Sequence, residues 1–161
     1  MNRIWRSREQ EALEKGLQKP QAELPDLVCR FLLARGMTSL EQIDSLLNSQ
    51  IQNLKDPFTM LGMREGAERL AMAFERQEKV CVYADFDLDG TSGLALLWEG
   101  LEKLGFKNLM GYQPKRLSEG YGFHASAVED LHQQGVKVIV TVDVGITAFA
   151  AAEKARELGV D

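Results

Sequence analysis

Three carboxylates fall within five residues in the run Val82-Tyr83-Ala84-Asp85-Phe86-Asp87-Leu88-Asp89-Gly90-Thr91-Ser92-Gly93. Two unit charges about 4 Å apart repel by ~1 kcal/mol in water and ~4 kcal/mol at an effective dielectric of 20. Such a cluster needs a cation, a shared proton or full solvation. It follows an apolar, β-branched stretch that predicts a strand over 79–84, which puts the acids at a strand's carboxyl end. Open α/β sheets place their ligands there. Carboxylate oxygens are hard donors suited to Mg2+ or Mn2+. Asp143 repeats the arrangement after the apolar stretch 137–142, with Gly145 two residues on. If the two strands are neighbours, Asp143 faces Asp85, Asp87 and Asp89 across the mouth of the sheet. Four carboxylates there suit a two-metal site, which clamps the attacking and leaving oxygens of a phosphoryl centre. The competing reading makes the three acids solvated turn residues and Asp143 a helix cap.

The elements that must position these residues alternate after residue 60. A helix is predicted over 64–76, with Leu70, Ala71, Ala73 and Phe74 inward, then the strand 79–84, with Gly90 turning the chain into a helix over 92–104. A second strand over 108–113, a helix over 125–134, a third strand over 137–142 and a helix over 148–158 follow, and Gly159-Val160-Asp161 reads as the approach to a fourth strand. The third strand is nearly all apolar, so burial on both faces is expected. Strand–helix alternation at this spacing implies right-handed βαβ units: a parallel sheet in a three-layer α/β/α arrangement. An exposed edge on such a sheet predicts self-association.

Residues 1–60 read as a short helical leader, distinct from 61–161. A polar helix is predicted over 7–17. Leu24, Leu27, Val28, Phe31 and Leu32 lie on one apolar helix face ended by Gly36. Ser39 with Gln42 forms a capping box that opens a third helix through Leu47. Lys55-Asp56-Pro57-Phe58 breaks the chain.

Composition narrows the class. Of 161 residues 45% are apolar, enough for a packed core. No apolar run approaches the ~20 residues of a membrane span, and the first residues form no signal peptide. Cys29 and Cys81 have no CxxC partner, so neither a disulfide framework nor a zinc ribbon is expected, and a cytoplasmic setting fits. A net charge of −5 argues against a general nucleic-acid binder. It does not exclude a local basic cleft beside acids that gather metal.

Three families share part of the acidic string. An EF-hand loop needs Glu at its twelfth position, where this chain has Leu96, and a strand stands where its first helix should be. Haloacid-dehalogenase-type phosphatases carry D-x-D-G-T after a strand, like Asp87-Leu88-Asp89-Gly90-Thr91, which would make Asp87 a nucleophile and Asp89 the general acid/base. The widest resemblance is to the DHH phosphoesterases of the RecJ type. It covers Asp85-Phe86-Asp87-Leu88-Asp89-Gly90, then Pro114-Lys115-Arg116, Gly120-Tyr121-Gly122 and Thr141-Val142-Asp143-Val144-Gly145-Ile146. It extends to the leader through Trp5, Arg35-Gly36, Leu54-Lys55-Asp56-Pro57-Phe58 and Leu61-Gly62-Met63. Ala84, Phe86 and Val144 stand where that family usually has glycine, tyrosine and cysteine.

The resemblance implies a single-stranded-DNA-specific 5′→3′ exonuclease acting in recombination and repair. It implies that Asp87, Asp89 and Asp143 ligate Mn2+ or Mg2+, with Asp85 a ligand or an orienting group. It further implies an Asp-His-His motif, another aspartate and a substrate-gripping domain beyond Asp161. The chain thus reads as an N-terminal fragment with weak metal affinity and little activity alone. Single-strand-binding protein and a RecQ-type helicase enter as partners by resemblance only. Arg116 is the expected phosphate contact, because guanidinium grips phosphate bidentately; the alternative is a surface arginine. Gly120 and Gly122 would let backbone approach the strand, with Tyr121 stacking on a base or merely anchoring the loop. Ser92 is expected to cap its helix and to lie near phosphate. His124 and His132 read as helix-start and helix-surface residues, and Trp5 and Trp98 as packing residues. A binding or scaffold protein that keeps the fold without catalysis is the remaining alternative.

Overall fold

The computed structural model describes residues 6–20 and 23–161, which leaves Trp5 outside the described residues. Two compact units divide at Asp56–Pro57.

The first unit is helical: α1 (Arg8–Glu14), α2 (Asp26–Ala34) and α3 (Leu40–Leu47). Ser7 caps α1 by accepting from the Glu9 amide. Ser39 and Gln42 form the reciprocal capping box that opens α3. In α2 the buried stripe is Cys29, Leu32 and Leu33, whereas Leu27 and Phe31 face solvent. The predicted apolar face is therefore rotated. Short α1, with Ala12 buried, covers α2 on one side only, and Phe31 instead carries the Arg35 guanidinium 3.8 Å above its ring.

The second unit is an α/β domain. After a turn at Pro57–Thr59 come α4 (Met63–Glu75), β1 (Lys79–Ala84), α5 (Leu88–Lys103), β2 (Leu109–Tyr112), α6 (Ala125–Gln133), β3 (Val136–Val142) and α7 (Phe149–Leu158). The strands are parallel in the order β2-β1-β3. Alternation along the strands sorts side chains to two faces, except that a register irregularity opposite Lys79–Val80 turns Val136 of β3 to the face opposite Val138. Val80 and Val138 pack with Ala73 of α4, Leu70, Phe106 and Leu109 on one face. Cys81, Tyr83 and Val136 pack with Ala127 and Leu131 of α6 on the other. Helix α5 lies on the first face, close enough that a Cβ on Gly93 would collide with Val142 Cγ1. Helix α7 packs beside α6. The result is three layers.

Several boundaries move. Helix α5 begins at Leu88, not Ser92, because Asp87 caps it: Asp87 Oδ1 accepts from the Gly90 amide at 2.9 Å. Ser92 is not a cap; it lies inside the helix, its hydroxyl donating to the Leu88 carbonyl. Within α4 only Ala73 is fully buried, and Ala71 and Phe74 are not, with Phe74 tilted against Phe106 at 5.2 Å. Strand β3 is not buried on both faces: Val136 and Val138 are buried, Lys137 is exposed and the rest is half-buried. On its outer edge Asp161 donates to the Lys137 carbonyl and accepts from the Ile139 amide, the start of a parallel ladder. Both cysteines are free and buried. Trp98 packs over Gly111 of β2, and His132 is half-buried within α6.

Candidate metal centre and substrate loop

Register places the acids. Ala84 of β1 pairs with Val142 of β3, so Asp85 and Asp143 leave the sheet side by side at its carboxyl rim. Asp85 is fully buried. Its Oδ1 accepts from the Phe86 amide at 2.7 Å, and its backbone carbonyl accepts from Gln113 Nε2 at 2.9 Å. Gln113 Nε2 also reaches Thr91 Oγ1 at 2.9 Å, tying the end of β2 to α5. Asp87 is the helix cap and Asp89 stands in the first turn of α5, where the positive end of the helix dipole favours anions. Asp143 sits in the left-handed region at φ 58°, a conformation that Asp and Asn tolerate better than most residues.

The acids sense one another. The Asp143 carboxyl is pushed above its ordinary value, by desolvation first and then by the charges of Asp87, Asp89 and Asp85. Tyr121 joins them from the loop after β2. Its phenol is pushed up by Asp85 first, then by desolvation, Asp143 and Asp87. Asp85 Oδ2 is buried there without a hydrogen-bond partner.

The Asp143 shift fixes a sign. A carboxyl with a raised folded value favours the folded state while protonated, and that contribution disappears as pH rises through the folded value. With divalent ions chelated, the unfolding midpoint of Asp143→Asn relative to the parent should climb as pH is raised from the ordinary carboxylate range, about 4, through the raised folded value. Asparagine keeps the left-handed backbone, so the comparison isolates the charge. Urea titrations at stepped pH measure it; a difference that stays flat would show that Asp143 does not feel the other acids.

Phe86, between Asp85 and Asp87, forms a platform for the loop. Tyr121 meets its ring edge-on at 6.1 Å, and the Arg116 guanidinium lies 4.6 Å over it. The structure therefore brings Asp85, Asp87, Asp89, Asp143, Tyr121 and Arg116 to one rim. Gly120 and Gly122 have positive φ, and the Gly122 carbonyl accepts from the Tyr83 hydroxyl at 2.8 Å. A cavity of about 670 Å³ opens beside Asp143, lined by Tyr121, His124, Gly145 and Thr147 among others. His124 precedes α6 without capping it, and its Nε2 is buried without a partner.

The residues fit a hard cation: oxygen donors converge on one rim, and a buried carboxylate oxygen there lacks a proton donor. They do not yet enclose one. Among the described residues no three His, Cys, Asp or Glu side chains stand close enough to hold an ion between them. Two carboxylates each turn an oxygen to the backbone, Asp85 to Phe86 and Asp87 to Gly90. Gln113 and the Phe86 platform have no signature in the sequence, because both act on partners brought together by folding.

Residues 79–161 match the DHH family, N-terminal domain. The chain belongs to the DHH family. The relatives of this DHH chain point the same way as its motifs. It is 36% identical over 141 residues to the single-stranded-DNA-specific exonuclease RecJ of Bacillus subtilis (strain 168), an overlap of 88% of this chain and 18% of that protein. It is 34% identical over 140 residues to RecJ of Escherichia coli (strain K12), 86% of this chain and 23% of that protein. The DHH chain thus spans about a fifth of the length of the curated relatives it matches. A crystal structure of exonuclease RecJ bound to manganese superimposes with a TM-score of 0.56 at 37% identity, over 62% of this chain and 26% of that one. RecJ in complex with Mn2+ from Thermus thermophilus gives 0.56 at 27% identity, over 81% and 17%. These likenesses agree with the α/β fold of the DHH domain. No helix among the described residues is long and apolar enough to cross a membrane.

Proposed function

We propose that this DHH chain supplies half of the metal centre of a phosphodiesterase that degrades single-stranded DNA from its 5′ end in recombination and repair. The observation that carries this reading is the meeting of Asp87, Asp89 and Asp85 with Asp143 at the carboxyl rim of adjacent parallel strands, where desolvation first and then the three charges raise the Asp143 carboxyl.

Asp87, Asp89 and Asp143, with Asp85 as a ligand or an orienting group behind them, would hold Mn2+ or Mg2+, as the two manganese-bound RecJ structures support for Mn2+. A divalent cation supplies Lewis acidity at a phosphoryl oxygen, and a pair of cations suits in-line displacement. The chain's own residues bind and orient. Arg116, exposed and resting on Phe86, presents a guanidinium to a phosphate. Tyr121, 64% exposed, offers a ring face to a base. Gly120 and Gly122 leave the backbone open to the strand. Ser92, exposed on the second turn of α5, is proposed as a further hydroxyl near phosphate. The proposal extends to a cytoplasmic protein whose partners are single-strand-binding protein and a RecQ-type helicase. By itself the chain is inactive and associates through an exposed edge of its sheet.

The test uses the gene product at full length with a 5′-labelled single-stranded oligonucleotide and Mn2+. Losing a partner of a metal ligand costs about 10–100-fold, so Asp89→Asn and Asp143→Asn, which remove ligands, should each cost more than about a hundredfold. Hydrolysis of small phosphomonoesters with a fluoroberyllate adduct trapped on Asp87 would replace this reading with a phosphatase. A full-length protein that binds no Mn2+ would replace it with a scaffold.

A further inference from the structure

The loop that carries Arg116 and Tyr121 is fastened to the sheet at two points, both by tyrosines. Tyr83 of β1 and Tyr112 of β2 are register partners whose rings stack at 5.1 Å, with 14° between their planes. Their hydroxyls emerge at the carboxyl rim beneath the loop. Tyr83 donates to the Gly122 carbonyl, just after Tyr121. Tyr112 donates to Glu119 Oε2 at 3.1 Å, in the middle of the loop. The same Oε2 accepts from the Lys115 amide at 2.8 Å, and the Lys115 carbonyl accepts from the Ser118, Glu119 and Gly120 amides. One carboxylate oxygen thus closes the turn on itself and ties it to the end of β2. Arg116 and Tyr121 flank Glu119 in sequence, and both converge on the Phe86 ring between two aspartates.

We propose that Glu119 is a positioning residue: with Tyr112 and the Lys115 amide it forms a clasp that holds Arg116 and Tyr121 over the acidic rim. It touches no substrate. Its work is to remove freedom from a loop whose two contact residues would otherwise have to be ordered on each binding event, so its loss falls on binding rather than on the chemical step. The Tyr112 phenol, pushed up by burial first and by its bond to Glu119 second, stays a hydrogen-bond donor throughout the working pH range.

The role rests on the nuclease reading above, so the experiment has one arm that depends on it and one that does not. In hydrogen exchange of the chain itself, Glu119→Ala should speed exchange in residues 114–122 and leave β1 and β3 unchanged. Glu119→Gln, which keeps the acceptor oxygen, should stay near the parent. In the full-length protein with Mn2+ and a single-stranded oligonucleotide, Glu119→Ala should raise KM by roughly tenfold, the scale of one lost hydrogen bond to a charged group, at nearly constant kcat. Glu119→Gln should restore KM to within about threefold, since a neutral acceptor still satisfies both donors. Unchanged exchange in Glu119→Ala, or a loss confined to kcat, overturns the proposal. A parent that fails to degrade DNA while its loop still responds to Glu119→Ala overturns the nuclease reading and the positioning role with it, and leaves the clasp as a loop fastener.

Discussion

Asp87→Asn in the full-length protein should lose nuclease activity by more than about a hundredfold, since even partners of metal ligands cost about 10–100-fold, while the fold stays intact. Asp87 does two jobs that most substitutions would confuse. It is proposed as a metal ligand, and it caps α5 by accepting from the Gly90 amide. Asparagine is as good a cap as aspartate, so the neutral residue keeps the helix start. Losing the negative charge at the helix N-terminus costs about 0.3–1 kcal/mol, and relief of repulsion from the neighbouring acids offsets part of it. Asp87→Ala should lose the same activity and a further ~1 kcal/mol of stability, the usual cost of an absent cap. Denaturant unfolding and nuclease rates on both variants separate the two roles. An active Asp87→Asn protein would leave Asp87 as a cap alone and would remove one ligand from the proposed centre.

That double role shows where the sequence can be read and where it cannot. The strand over Lys79–Ala84 and the capping box at Ser39 and Gln42 are legible because local signals and the folded result agree: a β-branched run, and a hydroxyl three residues before an amide side chain. The rim itself is legible as acids directly after two apolar strands. The start of α5 is not. A run of three acids reads as loop, yet aspartate is also a cap, and Leu88, 81% exposed, gives no amphipathic signal at the true first turn. The face of α2 is misplaced for a related reason. Periodicity marks a stripe of apolar residues, but a partner as short as α1 covers only part of it, leaving Leu27 at 74% exposure. Contacts such as Gln113 with Asp85, 28 residues apart, and Tyr83 with Gly122, 39 apart, leave no periodic trace because only strand order creates them.

The same alanine placed at two helical glycines should act in opposite directions. Gly66 in α4 has open space where a Cβ would go. Alanine there should stabilise by roughly 0.5–1 kcal/mol, the ordinary gain over glycine inside a helix. At Gly90 in α5 the built Cβ lies 2.9 Å from the Asp85 nitrogen and carbonyl carbon, and closer still to its oxygen. Backbone cannot swing aside as a side chain can. Asp85 is fully buried, and the oxygen in question already accepts from Gln113. Overpacking of this kind costs ~1–3 kcal/mol or more, against a helix gain of roughly 0.5–1 kcal/mol, so Gly90→Ala should be net destabilising by roughly 1–2 kcal/mol. The strain can be relieved only by lifting the first turn of α5 from the end of β1. That movement carries Asp87 and Asp89 away from Asp85 and Asp143, so nuclease activity should fall even under conditions where the variant remains folded. The Asp143 carboxyl should also return toward its ordinary value as two of its negative neighbours recede. Unfolding midpoints for the two glycine variants, with an NMR titration of Asp143 in Gly90→Ala, measure both consequences. A Gly90→Ala protein as stable as the parent, with Asp143 unmoved, would mean that the close approach of α5 to Asp85 is not what brings the acids together.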